Sequence, residues 1–204
     1  MSLLLETIKF RDGIPCNLHL HKQRMECSIM EIHKTILNTP LENLLKCPEG
    51  LHSGIVKCRV IYDTSIRSIT WEPYKPRTIR TLRITEDNSI DYSHKYLDRR
   101  GFTKLLEGVT EDDILIVKDG YITDTSFANI IFRDGNLWVT PDTPLLRGTK
   151  RQELIDKGVI TDKSIRVIDL PHFSEARIMN AMLGPMDHPP IAISDIRNRL
   201  AGHQ

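Results

Sequence analysis

The stretch from Asp119 to Phe132 constrains the fold of this chain more than any other part. Asp119-Gly120 is a pair typical of tight hairpin turns, and the β-strand pattern that follows it carries a single acid, Asp124. After a short link of mostly small or polar residues, Asn129 begins a second, apolar strand. A carboxylate held on rigid backbone beside small residues suits close contact with a flat ligand.

Composition excludes several classes of protein. The 204 residues include 28 basic and 27 acidic ones, a net charge of +1 that gives no reason to expect nucleic acid or an anionic membrane as a partner. Apolar runs are too short to span a bilayer, and the first residues lack the pattern of a secretion signal, so we expect a cytoplasmic protein. Four cysteines without a C-x-x-C pair predict reduced thiols. The pair His19-x-His21 lacks further ligands at suitable spacing, so no metal site is expected.

Two prolines in the segment Glu72 to Arg77 favour an extended connector, and they predict a small N-terminal domain of residues 1–75 and a larger domain of residues 76–204. Apolar spacing predicts an α+β fold. The expected helices are His19–Leu37, Arg99–Glu107 and one from Gly148 to Lys157. The expected strands, besides the two above, are Leu3–Phe10, Ile55–Tyr62, Ile66–Glu72, Thr78–Ile84, Asp113–Lys118, Leu137–Thr140, Arg166–Leu170 and Ile178–Met182.

Lys95, upstream of Asp124, makes a pyridoxal 5'-phosphate (PLP) enzyme the leading hypothesis. PLP chemistry needs a lysine for the Schiff base and a carboxylate that keeps the pyridine nitrogen protonated. It also needs a phosphate site, for which a helix N-terminus is suited, and a group for the substrate's carboxylate, for which arginine is best suited. By composition alone Lys95 is one of 28 basic residues, most of them expected to be solvated.

An ordered set of motifs resembles the class IV aminotransferases, the fold type IV PLP enzymes. These motifs are Lys95-x-Leu97-x-Arg99, Asp119-Gly120, Asp124, Asn129, Gly148-Thr-Lys-Arg-Gln152 and Asn180-Ala-Met182. Their order and spacing agree over most of the chain, roughly residues 6–186. The resemblance implies a two-lobed fold like that of D-amino-acid aminotransferase, with a small N-terminal α/β lobe and a larger β-rich C-terminal lobe. It also implies a homodimer.

The resemblance assigns roles to individual residues. Lys95 matches the Schiff-base lysine, and Asp124 matches the acid beside the pyridine nitrogen, where most members have glutamate; otherwise Asp124 simply caps a turn. The residues that match the phosphate site are Arg24, Gly148, Thr149, Lys150, Asn180 and Ala181, although an ordinary capped helix or a surface arginine would use the same residue types. Arg59 is the candidate for the substrate's carboxylate if its strand face lines the cleft, and an ion pair on the outer face is the equal alternative.

Within the family, the pattern Lys95-Tyr-Leu-Asp-Arg99 resembles aminodeoxychorismate lyase more than the transaminases, many of which place a tyrosine at the position of Arg100. The expected reaction is β-elimination that releases pyruvate and 4-aminobenzoate, a step of folate biosynthesis. An aminotransferase for a branched-chain or D-amino acid is the alternative, and an inactive member is a further one. Relatives usually carry a strand and loop ahead of the equivalent of Leu5, whereas this sequence starts at about that point. This difference leaves room for a different small amino substrate.

Overall fold

The computed structural model describes residues 2–37 and 40–198. Within these ranges the chain packs as two compact units, one of residues up to 76 together with 94–98, and the other of residues 77–93 and 99 onward. The domain boundary at residues 75 and 76 stays a prediction. Packing adds one fact that the sequence does not reveal, because residues 94–98, which include Lys95, pack with the first unit.

The first unit contains an antiparallel sheet with the strand order β2-β1-β3-β4. Its elements are β1 (Leu4–Arg11), β2 (Ile14–Pro15), α1 (Leu18–His33), α2 (Leu41–Leu44), a 3-10 turn (Glu49–Leu51), β3 (Ile55–Tyr62) and β4 (Ile66–Pro73). One face of the sheet packs its apolar side chains against α1, where Met25 and Ile29 are fully buried. Asp12 and Gly13 both have positive φ, as the two-residue turn between β1 and β2 requires.

The second unit contains a larger mixed sheet with the strand order β10-β9-β8-β7-β6-β5-β12, and β11 also pairs with β8. Its strands are β5 (Leu82–Glu86), β6 (Asp113–Lys118), β7 (Tyr121–Thr125), β8 (Asn129–Asp134), β9 (Leu137–Pro141), β10 (Thr161–Lys163), β11 (Ala176–Met179) and β12 (Ile196–Arg197). Its helices are α3 (Arg100–Leu105) and α4 (Thr149–Asp156), with 3-10 turns at Val167–His172 and Ile193–Asp195. Strands β6, β7 and β8 are almost wholly buried, so they form the core around the Asp119 to Phe132 stretch.

The α+β prediction and most predicted elements are confirmed, and four elements are wrong in part. The strand predicted from Thr78 begins only at Leu82, because the N–H groups of Arg80 and Thr81 bond to the Asp112 carboxylate. The strand predicted to Met182 ends at Met179, because Asn180 forms a turn. Helix α1 ends at His33, because Lys34 adopts the left-handed conformation and its N–H bonds to Met30, so Ile36 is exposed rather than part of the helical face. The predicted strand Arg166–Leu170 is instead mostly a 3-10 turn, since the Asp169 carboxylate accepts the Arg166 N–H at 2.8 Å. No helix in the described ranges is long and apolar enough to cross a membrane.

Candidate active site

Asp124 lies near the end of β7, opposite the first residue of β8, Asn129, and is only 5% exposed. Its Oδ1 accepts a hydrogen bond of 2.7 Å from Asn129 Nδ2, and its Oδ2 accepts one of 3.0 Å from the N–H of Leu146. The same Asn129 amide also donates to the carbonyl of Leu146 at 2.9 Å. Asp124 therefore does more than cap a turn, because it ties β7 and β8 to the segment that leads into α4.

Burial raises the pKa of Asp124 to about 6, from an ordinary value of 3.8. The hydrogen bonds from Leu146 and Asn129 and the charge of Arg151 act in the opposite direction and are outweighed. Arg151 is itself buried, and its Nη2 donates to the carbonyl of Pro141 at 2.9 Å. Because the hydrogen-bond donors to Asp124 are neutral, a cation placed against this carboxylate would lower the pKa and favour both charges.

The start of α4 lies against the side chain that holds Asp124. A Cβ added to Gly148 would stand 2.0 Å from Asn129 Oδ1, so only glycine allows this approach. Thr149 is buried as the first residue of α4, and the side chain of Lys150 pairs with Glu153. The N–H groups of the first helical turn, rather than the Lys150 ammonium, are therefore the groups suited to an anion.

Asn180 and Ala181 follow directly after β11, whose last residue, Met179, pairs with Asn129. Asn180 Oδ1 accepts the N–H groups of Met182 and Leu183 at 2.9 and 3.1 Å. Its side-chain oxygen thus shapes its own turn, which leaves main-chain donation as the better role for this segment. The second unit therefore brings Asp124, the start of α4 and the turn after β11 to one end of β8.

Lys95 extends the first unit's sheet along one edge of β1. Its carbonyl accepts the N–H of Leu5 at 2.9 Å, and Tyr96 bridges to Leu4. Leu97 completes the pairing by donating to the carbonyl of Leu3 at 2.9 Å. Tyr96 packs into the apolar core on the α1 side, and strand alternation places Cβ of Lys95 on the opposite face. The charge of Lys95 still reaches His21 of α1 and helps to lower the pKa of that ring.

Arg59 lies on the same face of this sheet as Lys95. It stands opposite Thr7 of β1, whereas its neighbours Cys58 and Val60 point into the core on the α1 side. With β1 between them, the backbones of Lys95 and Arg59 are about two strand spacings, roughly 10 Å, apart. On this face Lys57 pairs with Glu72 at 2.5 Å. Within the described residues Arg59 forms no ion pair, although its charge helps to lower the pKa of Glu72. The substrate role of Arg59 stays a prediction.

Arg24 is not an exposed surface arginine, because it forms an ion pair with Glu6. Its Nε and Nη2 donate to the two oxygens of Glu6 at 2.9 and 2.6 Å, and its side chain is 13% exposed. His21 Nδ1 lies 2.6 Å from Glu6 Oε2. His21, Arg24 and Ser28 lie along one stripe of α1, and Ser28 Oγ lies 3.1 Å from Nδ1 of His94, next to Lys95.

Three residues that the sequence did not single out as site residues support the candidate set. Glu6 holds Arg24, Asn129 holds Asp124, and Arg99 donates to the Ser126 carbonyl in the turn after Asp124 at 2.5 Å. Glu6 had a detectable signal, because it interrupts the otherwise apolar row of Leu4, Ile8 and Phe10 on one face of β1. A charge in such a row is expected to be buried with a partner.

The residues present fit PLP. Asp124 is a buried carboxylate that accepts hydrogen bonds from neutral donors and forms no ion pair within the described residues. Such a carboxylate suits a protonated ring nitrogen. Gly148 gives α4 an approach that a larger residue would block. Within the first unit, the contact with Glu6 fixes the plane of the Arg24 guanidinium, a group whose geometry matches a phosphate. No group of three or more possible metal ligands is found across the described residues.

Known proteins share sequence and fold with this chain. A protein of Haemophilus influenzae without a characterised function is 36% identical over 187 residues, covering 90% of this chain and all of that one. A solved structure from Haemophilus somnus 129PT, provisionally named a 4-amino-4-deoxychorismate lyase, is 32% identical with a TM-score of 0.78, covering 90% of this chain and 98% of its own.

A PLP-bound aminotransferase structure from Mycobacterium tuberculosis, itself described as hypothetical, shares the fold. It has a TM-score of 0.74 at 19% identity, covering 93% of this chain and 80% of its own. The sequence pattern of the family described as amino-transferase class IV matches residues 3–187. The chain therefore belongs to the class IV aminotransferases, a family of PLP-dependent enzymes.

Proposed function

We propose that the protein is a PLP-dependent lyase that acts on 4-amino-4-deoxychorismate and releases pyruvate and 4-aminobenzoate. The observation that carries the catalytic part is Asp124, a buried carboxylate with neutral donors beside the start of α4. The choice of the lyase rests on the motif from Lys95 to Arg99 and on the likeness to the provisionally named Haemophilus somnus protein.

Each candidate residue then has a defined task. Bound PLP supplies a ring that withdraws electrons from the substrate's amine-bearing carbon. The amine of Lys95 would hold the cofactor and, when free, would accept the proton from that carbon as general base. Asp124 keeps a proton on the ring nitrogen by offering a negative charge in a dry environment. Arg59 binds a substrate carboxylate through its planar guanidinium.

The proposed phosphate ligands are the residues that match the family's phosphate site. Arg24 supplies a guanidinium, and the main-chain N–H groups of Thr149, Lys150 and Ala181 supply further donors, with Gly148 and Asn180 shaping the backbone. We further propose a cytoplasmic homodimer in the pathway to folate. Sedimentation of the purified protein at several concentrations checks the dimer.

The test begins with the cofactor linkage. Purified protein with PLP is expected to be yellow, and borohydride is expected to fix the cofactor to the peptide that contains Lys95. Lys95→Ala is expected to abolish this fixation and turnover, whereas the exposed Lys104→Ala serves as control and retains both. Fixation that persists in Lys95→Ala shows that the lysine assignment is wrong.

The reaction is decided by product analysis. The lyase predicts pyruvate release from aminodeoxychorismate without any amino acceptor. Formation of keto acids from a panel of branched-chain and D-amino acids, dependent on an acceptor, would instead identify an aminotransferase. Stable PLP binding with neither product would identify an inactive member of the family.

A further inference from the structure

The strongest unassigned feature of the described chain is the buried acid of β1. Glu6 is fully buried on the face of β1 that packs against α1. Both of its oxygens are bonded, Oε1 to Arg24 Nε at 2.9 Å and Oε2 to Arg24 Nη2 and His21 Nδ1 at 2.6 Å each. A bidentate contact of this kind fixes the plane of the guanidinium as well as its position.

Glu6 is an anion in this arrangement. The charge of Arg24 and the contacts with His21 outweigh its burial and lower its pKa to about 2. Burial lowers the pKa of His21, so its ring is neutral at ordinary pH, and the proton on Nδ1 faces the Glu6 carboxylate. His21 therefore acts as a neutral donor that holds Glu6 without competing for its charge.

The surroundings of Glu6 are dry. Tyr62 is fully buried on β3, and burial together with the charge of Glu6 raises its pKa, although the Ser28 hydroxyl lies close enough to oppose this rise. Electrostatic contacts are stronger in such a medium than in water. The Glu6–Arg24 contact is thus suited to hold Arg24 in one orientation.

Consecutive residues of β1 hold two candidate site residues. The N–H of Leu5 bonds to the carbonyl of Lys95, and the side chain of the next residue, Glu6, binds Arg24. The backbone spacing between Leu5 and Glu6 therefore sets where the Schiff-base lysine and the phosphate arginine stand relative to each other. Both contacts lie inside the first unit.

We propose that Glu6 is a positioning residue that fixes Arg24 for the phosphate of PLP, with His21 holding Glu6 in turn. The proposal rests on the proposed function, because it requires Arg24 to bind the phosphate. It goes further by assigning the orientation of Arg24 to a buried acid that contacts neither cofactor nor substrate.

The test compares the affinities of PLP and pyridoxal, which lacks the phosphate. The dissociation constant of pyridoxal divided by that of PLP gives an affinity ratio that isolates the contribution of the phosphate. A general loss of structure weakens the binding of both ligands alike and leaves this ratio unchanged. Arg24→Gln sets the size of the phosphate effect, which we expect to be about tenfold or more in the ratio. Glu6→Gln is expected to reduce the ratio by a similar factor, and adding it to Arg24→Gln is expected to change the ratio little further.

Two further variants keep the test decisive. Glu6→Asp retains the charge but moves it by one methylene, so it covers the case in which Glu6→Gln does not fold, and it is expected to give an intermediate ratio. Glu111→Gln is the matched control, because Glu111 forms a similarly buried pair with Arg83 at 2.7 Å in the other unit. This control is expected to leave the ratio unchanged.

The outcomes separate the two proposals. If the wild-type protein forms no reducible linkage with PLP, the proposed function fails. If the linkage forms but Arg24→Gln leaves the ratio unchanged, Arg24 does not bind the phosphate and the role of Glu6 is overturned with it. If Arg24→Gln lowers the ratio while Glu6→Gln and Glu6→Asp leave it unchanged, only the positioning role is overturned.

Discussion

Glu6 and Asp124 are two fully buried carboxylates with opposite electrostatics. Glu6 has a guanidinium and an imidazole against its oxygens, and its pKa falls to about 2. Asp124 has an amide and a backbone N–H, and its pKa rises to about 6. Burial raises the pKa of both groups and is the largest single influence on each, so the difference lies in the charge of the partners.

Glu6 forms a closed ion pair with Arg24, whereas Asp124 is a carboxylate that can still respond to a cation. The charge of Glu6 is balanced within the first unit, so its free energy contributes to that unit's stability and to the orientation of Arg24. Ionised Asp124 raises the free energy of the protein alone, and a cationic ring placed against it would lower that free energy. The first acid therefore serves the scaffold, and the second serves the chemistry.

The largest expected effect is on the stability of the first unit. Glu6→Gln leaves the buried Arg24 without its countercharge, so we expect the free energy of unfolding to fall by about 3–5 kcal/mol. Since the pKa of Glu6 is lowered on folding, its contribution is present above pH 4.5 and is lost as the pH falls towards 2. Urea denaturation at pH 7 and pH 3 measures this, and a difference from wild type that does not shrink at pH 3 would contradict the ion-pair account.

The next effect is on turnover. Asp124→Asn keeps the size of the side chain and removes the charge, so we expect kcat to fall by about 10² to 10³, the scale of one electrostatic contact in a dry site. Asp124→Glu restores the charge and the side chain most common in the family, and should retain far more activity than Asp124→Asn. Steady-state kinetics with PLP in excess is the measurement, and a wild-type kcat in Asp124→Asn would remove Asp124 from the mechanism.

Asp124→Asn is expected to lower activity but to raise the stability of the fold. The pKa of Asp124 is raised on folding, so this carboxyl stabilises the fold fully below pH 3.8. The contribution is lost as the pH rises through about 6. In protein stripped of PLP, Asp124→Asn should therefore be more stable than wild type at pH 7.5, by on the order of 3 kcal/mol, but not at pH 4. Urea midpoints at the two pH values test this, and a variant less stable at pH 7.5 would show that the charge is already compensated in the protein.

Much of the fold follows from the sequence, because local signals agree with tertiary packing. The turn at Asp119-Gly120 and the strand Asp113–Lys118 are where their patterns place them. The failures occur where one side chain or one backbone conformation decides. Lys34 ends α1 in a left-handed conformation that lysine rarely adopts, and Asp169 converts a strand-like run into a 3-10 turn.

The candidate site was predictable as a set of residue types and much less so as contacts. The roles of Lys95 and Asp124 remain predictions that came from ordered motifs, but the partners of Asp124 lie at Asn129 and Leu146, and sequence spacing does not reveal the second of these. The pairing of Arg24 with Glu6 joins residues on different elements, so neither helical nor strand periodicity alone indicates it. Side-chain pairing across elements depends on tertiary geometry, and single-sequence patterns carry little of it.

Asp113 is a third buried acid, and its substitution is expected to change stability the least. Neither of its oxygens has a hydrogen-bond partner among the described residues, although the hydroxyls of Ser126 and Thr125 lie close enough to oppose the rise in its pKa that burial causes. Asp113→Asn removes a buried charge that no ligand needs, so stability at pH 7.5 should rise by about 1 kcal/mol, the low end of the cost of an unsatisfied buried group.

This third acid separates burial from function. If burial alone made an acid catalytic, Asp113→Asn would lower kcat as Asp124→Asn does. We expect kcat and the PLP affinity of Asp113→Asn to match wild type, because Asp113 lies at the start of β6 and forms none of the contacts that join Asp124 to Asn129 and Leu146. A loss of PLP affinity in Asp113→Asn would place the cofactor's ring against β6 and would reassign the acid that faces its nitrogen.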